Sequence, residues 1–431
     1  MTAATVGTRW GIFANRDFRI YWSGGFVSNI GTWLQNVTAS VLVLTLTHSP
    51  LMVGVLNFAT FAPIFALSMF GGMLSDRFDR RQVIVYTQLF SLAVAAVITV
   101  LTGIGVINAP ILIALATLLG CSYALAKPAL SALLPSLVER SEIANATAIN
   151  TLQFNLGQVV GSALSALLLA FSTPTFAFGV NTLSFTGPIV AMYLLRRSKL
   201  RETKRRTSLR GSGREGIVLA LGSPAILALL IAVALSNASV EALRTLAPEL
   251  ADKTLNLTPN SAGLIVTSYS IGATTGLVLF GVLSTRIRPG PMLAIAFGLQ
   301  AAGVAGVALS SSLLPAGILA APIGFGFAIN IPLLTAGLQL LSPEEFRGRV
   351  MSMFSMIHLG LRPIFSLAAG AMATVLNLRL TLGLFVIFPL VAITLTARSG
   401  RFLDSTRADD APGIPASTED NATYLQPEKK A

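Results

Sequence analysis

Twelve stretches of the chain run for at least 18 residues with almost no charge. Each is long enough to cross a hydrocarbon core of roughly 30 Å as a helix rising about 1.5 Å per residue. In lipid every backbone N–H and C=O must be satisfied within the protein, so a spanning segment is a helix or part of a closed barrel. These stretches are continuously apolar rather than alternating, so the chain reads as an all-α integral membrane protein with twelve transmembrane helices. Composition agrees: 11% of residues are charged, against about 25% in an ordinary soluble domain. The first stretch begins near Ile20 and continues past Leu44. It is too long for a signal-peptide core and lacks a small-residue cleavage pattern, so it is expected to be a retained span.

The net charge is +12. In a soluble protein that balance would suggest nucleic acid, but here the placement of the bases decides its meaning. Alternate connections between spans are nearly uncharged or rich in Arg and Lys. Lys253 and Arg379 are the bases in the weakly charged connections, and Arg244 and Arg362 lie deep inside spans. The positive-inside rule then puts both termini and the long middle loop in the cytoplasm, as an even number of spans requires. No nucleic-acid partner is expected.

The middle loop "RRSKLRETKRRTSLRGSGREG" carries nine basic residues and no apolar periodicity. It reads as a solvated linker held near anionic headgroups, which makes membrane lipid a partner. The expected organisation is a cytoplasmic N-terminal segment at 1–17, a six-helix bundle at 18–195, the basic linker at 196–223, a second six-helix bundle at 224–397 and a polar tail at 398–431. The tail has too little apolar surface to fold. Two pairs of segments recur at matched spacing of about 200 residues, as in duplicated transporters. Gly72 of "GGMLSDRFDRR" corresponds to Gly281 of "GVLSTRIRPG", and "LLPSLVERSEIANA" corresponds to "LLSPEEFRGRV". Thr285 falls where Asp76 stands in the first copy.

With twelve spans, a six-plus-six repeat, a basic central loop and "GGMLSDRFDRR" between spans two and three, the sequence resembles the major facilitator superfamily. Gly72, Asp76, Arg77, Arg80 and Arg81 match that family's signature in this loop, while Asp79 stands where Gly is more usual. "FRIYWSGGFVSNIGTWLQNVTASVLVLTLTHSPLMVGV", "KPALSALLPSLV" and "FRGRVMSMF" look like the drug and siderophore exporter branch, which includes enterobactin exporters and macrolide efflux proteins. The resemblance implies two pseudo-symmetric six-helix bundles that alternate access around a midplane cavity. It further implies a bacterial cytoplasmic membrane location, a small-molecule substrate and a proton gradient as the driving force. Within the loop, glycines allow close helix approach, and Asp76 is implied to pair across the two halves and latch the cytoplasmic side. Arg77, Arg80 and Arg81 serve that gate or act only as topology signals.

Polar residues inside spans are costly and point to a pathway. Asn237, Glu241 and Arg244 fall on one face of span seven, and His358 and Arg362 on one face of span eleven. Glu241 is the acid set deepest; it either takes part in proton coupling or cation recognition, or is held as a plain ion pair by Arg244. Arg362 could meet an anionic ligand or neutralise Glu241 from the opposite wall, and Pro363 should loosen its helix. His358 is a proton carrier or a packed, hydrogen-bonded ring. In span one, Asn29, Trp33 and Asn36 share a face that offers hydrogen bonds and an aromatic surface. Thr32 stands after Gly31 where related exporters often carry an acid. Gly157, Gly161 and Ser165 of span five form a small-residue packing face resembling the exporters' glycine-rich antiporter motif, with Ser162 in place of the usual Pro.

No Walker lysine motif is present, and two His with one Cys make a His/Cys metal cluster implausible. Neither a cofactor nor a metal is expected, and no enzymatic activity. The expected function is secondary active, proton-coupled efflux of amphipathic small molecules. Import of a nutrient, or a non-transporting role as a receptor or assembly partner, are the alternatives.

Overall fold

The computed structural model describes residues 11–195 and 223–397. The N-terminal segment before residue 11, most of the basic linker and the polar tail therefore lie outside the described residues. Twelve helices long and apolar enough to span a membrane are present, and no strand occurs among the described residues. They are α1 (Arg16–Thr47), α2 (Pro50–Arg77), α3 (Arg80–Gly103), α4 (Ala109–Leu133), α5 (Ile143–Phe171) and α6 (Pro174–Leu194) in the first half. The second half holds α7 (Pro224–Glu249), α8 (Ala262–Arg286), α9 (Pro289–Leu309), α10 (Leu313–Leu341), α11 (Arg349–Val375) and α12 (Leu378–Ala397).

Local sequence explains where these helices start and bend. Asn15 caps α1, its Oδ1 accepting from the backbone N–H of Asp17 and Phe18, and its Nδ2 donates to the Leu137 carbonyl, tying α1 to the turn after α4. Prolines occupy the first turn of α2, α7 and α9, where a missing N–H costs nothing. Inside helices the same residue interrupts. α6 breaks at Phe185 because Pro188 offers no N–H to the Ser184 carbonyl. α11 breaks at Leu361, just before Pro363, and a π-turn over Leu250–Thr254 ends α7.

Packing repeats between the halves. Helix α2 lies along α4 and α8 lies along α10, with Gly120 against the Thr60 carbonyl in the first pair and Gly324 against the Tyr269 carbonyl in the second. In a bilayer, lipid tails are as apolar as Leu, so small residues that permit backbone contact supply the packing energy. The outward faces carry Phe171, Tyr193, Leu309 and Leu314, all largely exposed, as suits side chains that meet acyl chains instead of water.

The two halves meet mainly at one end. We call distal the end holding the α1–α2 turn, and proximal the end holding Gly11 and Ala397. Helix α2 packs on the second segment of α11 (Arg362–Val375), and α5 packs on α8. At the first contact a Cβ on Gly54 would lie 2.8 Å from the Ser366 carbonyl and 3.4 Å from Gly370 Cα. At the second a Cβ on Gly263 would lie 2.7 Å from the Ser162 carbonyl, and Asn260 Nδ2 donates to the Leu169 carbonyl at 2.8 Å. These contacts close the halves together at the distal end, and a cavity that Ala262, Val266 and Asn57 help to line lies between the halves beside them.

Candidate functional site

The cavity is floored by polar side chains that no lipid-facing position could tolerate. Glu241 on α7 is buried, and Arg244, one turn along, donates from Nη1 to its Oε1 at 3.0 Å. Arg362, carried to the same place by the break in α11, donates from Nε to that same oxygen at 2.6 Å. One carboxylate therefore holds two guanidiniums, both largely buried, with side-chain exposures of 13% and 14%. Removing ions from water is expensive and is offset only by close pairing with good hydrogen-bond geometry, which this shared oxygen supplies.

The cluster sits on the second half and reaches into the first. Arg244 Nη2 donates to Gln158 Oε1 on α5 at 3.2 Å. Its guanidinium lies 5.1 Å from the Trp33 ring centroid on α1 and 4.9 Å from that of Tyr269 on α8. The Arg362 guanidinium lies 5.2 Å from the ring of Phe61 on α2. Cation–π contacts of this kind contribute about 0.5–2 kcal/mol each, more as water is excluded. Asn57 Nδ2 on α2 and Thr245 Oγ1 on α7 approach to 3.5 Å beside them, and Trp33 and Asn36 also line the cavity.

Other residues singled out by sequence fall elsewhere. Asn29 shares a helical face with Trp33 and Asn36 but lies a turn nearer the proximal end, where its Nδ2 donates to Gln153 Oε1 at 3.1 Å. Asn237 donates to the Val233 carbonyl and meets His358 Nδ1 at 3.2 Å, outside the cavity lining. The His358 ring stacks with Phe354 and Phe327, at centroid distances of 5.4 and 6.1 Å. Gly157 and Gly161 bring α5 against α1: a Cβ on Gly157 would lie 2.8 Å from Asn29 Cβ, and one on Gly161 would lie 2.7 Å from Trp33 Cβ. Ser165 Oγ meets Thr38 Oγ1 at 3.1 Å on the same face. Ser162, which stands where a Pro was expected, receives a hydrogen bond from Thr267 on α8 at 3.1 Å and so joins the halves.

The loop between α2 and α3 departs from expectation in its details. A Cβ on Gly72 would meet nothing within 4 Å, whereas one on Gly71 would lie 2.8 Å from the Ala124 carbonyl, so the close helix approach belongs to Gly71. Arg77 is exposed, and Arg80 donates to the Ala132 carbonyl at 3.1 Å. Arg81 is buried and donates from Nη2 to the carbonyls of Met192 and Leu195, which closes the C-terminal end of α6. Asp79 caps α3, its Oδ1 accepting from the Arg81 N–H at 2.9 Å. The side chain of Asp76 lies outside the described ones.

Sequence reading missed Gln158, Phe61 and Tyr269, which complete the surroundings of the two arginines. Gln158 carried a signal, since a buried amide in an apolar span needs partners. Phe61 and Tyr269 carried none that separates them from lipid-facing aromatics.

Known proteins place this architecture. The chain is 27% identical over 360 residues to the enterobactin exporter EntS of Escherichia coli, a match covering 78% of this chain and 80% of that protein. Over 159 residues it is 28% identical to the staphyloferrin A transporter of Staphylococcus aureus, covering 36% of this chain and 40% of the relative. Among solved structures, the nucleoside transporter NupG matches with a TM-score of 0.74 at 10% identity, over 89% of this chain and 99% of that one. A bacterial homologue of the lysosomal transporter Spinster, in an inward-facing occupied conformation, matches at 0.66 and 16% identity, over 91% and 97%. Those likenesses show a shared fold. The family model described as transmembrane secretion effector matches residues 7–415, and the chain therefore belongs to that family of major facilitator transporters, multi-pass membrane proteins rather than enzymes.

Proposed function

We propose that this transporter is a proton-coupled exporter of amphipathic, drug-like or siderophore-like molecules. In this account residues 18–195 and 224–397 rock against each other in a bacterial cytoplasmic membrane, with both termini cytoplasmic. The observation that carries this reading is the cluster of Glu241, Arg244 and Arg362, which belongs to one half and grips Gln158, Trp33 and Phe61 of the other. Any motion that separates the halves at the distal end has to break those contacts. Protonation of Glu241 removes the charge that holds both arginines together and so biases the same motion. Export is supported by the likeness to the enterobactin exporter EntS of Escherichia coli. Asp76 is assigned a role in closing the proximal side, and Gly72, with open space around it here, leaves room for that approach.

The test is flux in proteoliposomes of defined orientation with an imposed pH gradient, using anionic, neutral and cationic amphipathic fluorophores. Gradient-dependent movement toward the distal side, lost in Glu241→Gln when equal amounts of folded protein are reconstituted, is the expected result. Movement indifferent to the gradient would remove proton coupling, and movement only toward the proximal side would make the protein an importer.

A further inference from the structure

Hydrogen-bond accounting in the cavity is unequal. Glu241 Oε1 takes one N–H from each arginine. Among the described residues, the two terminal nitrogens of Arg362 make no hydrogen bond, and Arg244 Nε and Gln158 Nε2 are buried without an acceptor. These four donors stand against one free acceptor of the cluster, Glu241 Oε2, which likewise takes no hydrogen bond among the described residues. Charge is unequal in the same sense: two guanidiniums face one carboxylate. The next acid along α7, Glu249, is committed to Lys253 at 2.7 Å. The rings of Trp33, Tyr269 and Phe61 soften this excess without supplying an acceptor. A guanidinium fork free at both ends and lying over an aromatic face matches the planar, bidentate geometry of a carboxylate attached to an apolar body.

We propose that the cavity binds a small amphipathic molecule through a carboxylate, taken by the free fork of Arg362 and by Arg244. Glu241 balances only one of the two arginines, and the ligand brings the second negative charge. Its apolar part rests against Phe61 and Trp33. Gln158 stands behind the cavity lining and holds Arg244 through its Oε1 across the halves, so an anion held by Arg244 is tied to a contact that keeps the distal end closed. This inference rests on the cavity being a ligand site and goes beyond the exporter reading in fixing the sign of the ligand's charge and the groups that meet it.

Equilibrium binding tests it without a gradient. The full chain in nanodiscs of zwitterionic lipid is titrated with 2-naphthoate, 2-naphthamide and 2-naphthylmethylammonium, with binding read by calorimetry. Naphthoate is expected to bind about tenfold or more tightly than the amide, the range of a charge-assisted bidentate contact, and the ammonium least. Arg362→Gln should abolish the preference for naphthoate over the amide, and Arg362→Lys, which keeps the charge but not the fork, should restore it only in part. Glu241→Gln removes the resident counter-ion, so naphthoate should bind more tightly than in the unaltered protein, an outcome that a merely structural ion pair would not give. Equal binding of naphthoate and amide, a preference for the ammonium, no binding of any of the three, or a naphthoate preference unchanged in Arg362→Gln would overturn the proposal. If Glu241→Gln fails to fold, the two Arg362 variants decide alone. Absent flux with an intact naphthoate preference contradicts only the exporter reading; flux without that preference contradicts only this one.

Discussion

Arg362 Nε donates to Glu241 Oε1 at 2.6 Å, so a base on α11 and an acid on α7, 121 positions apart in sequence, share one buried ion pair. Arg244 uses the same carboxylate oxygen. Among the described residues, that carboxylate is the one acid paired with either of these two buried cations.

Glu241→Gln should therefore be costly. Removing one member of a buried charge pair destabilises by about 3–5 kcal/mol, because the partner is left charged in a poorly solvating site. Thermal unfolding in detergent should show a clear fall in midpoint. Adding Arg362→Gln should recover part of that loss, since both mutations act on one pair and their effects do not add. An unchanged midpoint in the single variant would mean that the cluster contributes nothing to the fold.

The distal seal depends on backbone contact between α2 and α11. Gly54→Val places methyl groups where the Ser366 carbonyl already lies 2.8 Å from the Cβ position. The expected outcome is a protein that folds with its distal end opened. In a Cys121→Ala background, a Cys placed at Asn57 should then react faster with a membrane-impermeant thiol reagent applied from the distal side. Equal reactivity with and without the valine would show that the contact does not gate access.

Arg77 and Arg81 belong to the same basic loop but do different things. Arg81 is buried against the carbonyls of Met192 and Leu195, while Arg77 is exposed. A hydrogen bond from a charged donor is worth about 1.5–3 kcal/mol. Arg81→Gln should lower stability by roughly that amount, and Arg77→Gln should leave it within about 0.5 kcal/mol, as for surface changes generally. Denaturation of the two variants side by side checks the difference.

Adjacent glycines give a further contrast. Gly71→Leu should impair folding, because the Ala124 carbonyl lies 2.8 Å from its Cβ position. Gly72→Ala should leave the midpoint unchanged or slightly raised, since alanine favours helix and the space is open. If Gly72 meets a neighbour only when the proximal end closes, the alanine variant should lose transport while keeping its stability. Full transport in that variant would confine the requirement for small residues to Gly71.

The spans were legible because length and apolarity in lipid leave few alternatives. Glu241, Arg244 and Arg362 stood out because intramembrane charge is rare and costly. What could not be read was how helices are rotated against one another. Asn29 shares a face with Trp33 but meets Gln153, and Asn237 shares a face with Glu241 but turns to His358. Both depend on which neighbour packs a turn away, which no local pattern encodes. The same holds for Gly71 and Gly72: the sequence offers two glycines, and only the placement of α4 decides which is pressed. Arg81 was read as part of a gate or as a topology signal, and its partners are carbonyls at the end of α6, more than a hundred residues on.

Alternation of the two halves around the Glu241 cluster, as proposed above, would be read most directly across α5 and α8, which face each other across that divide. Spin labels at Thr147 and Thr285 report the proximal end of this pair, and labels at Ser172 and Leu257 report the distal end. Distances between labels should be measured by pulsed electron resonance in nanodiscs, in the unaltered background and in Glu241→Gln. When Glu241 loses its charge the 147–285 distance should shorten and the 172–257 distance should lengthen. Two distances that stay fixed, or that change in the same direction, would contradict that alternation.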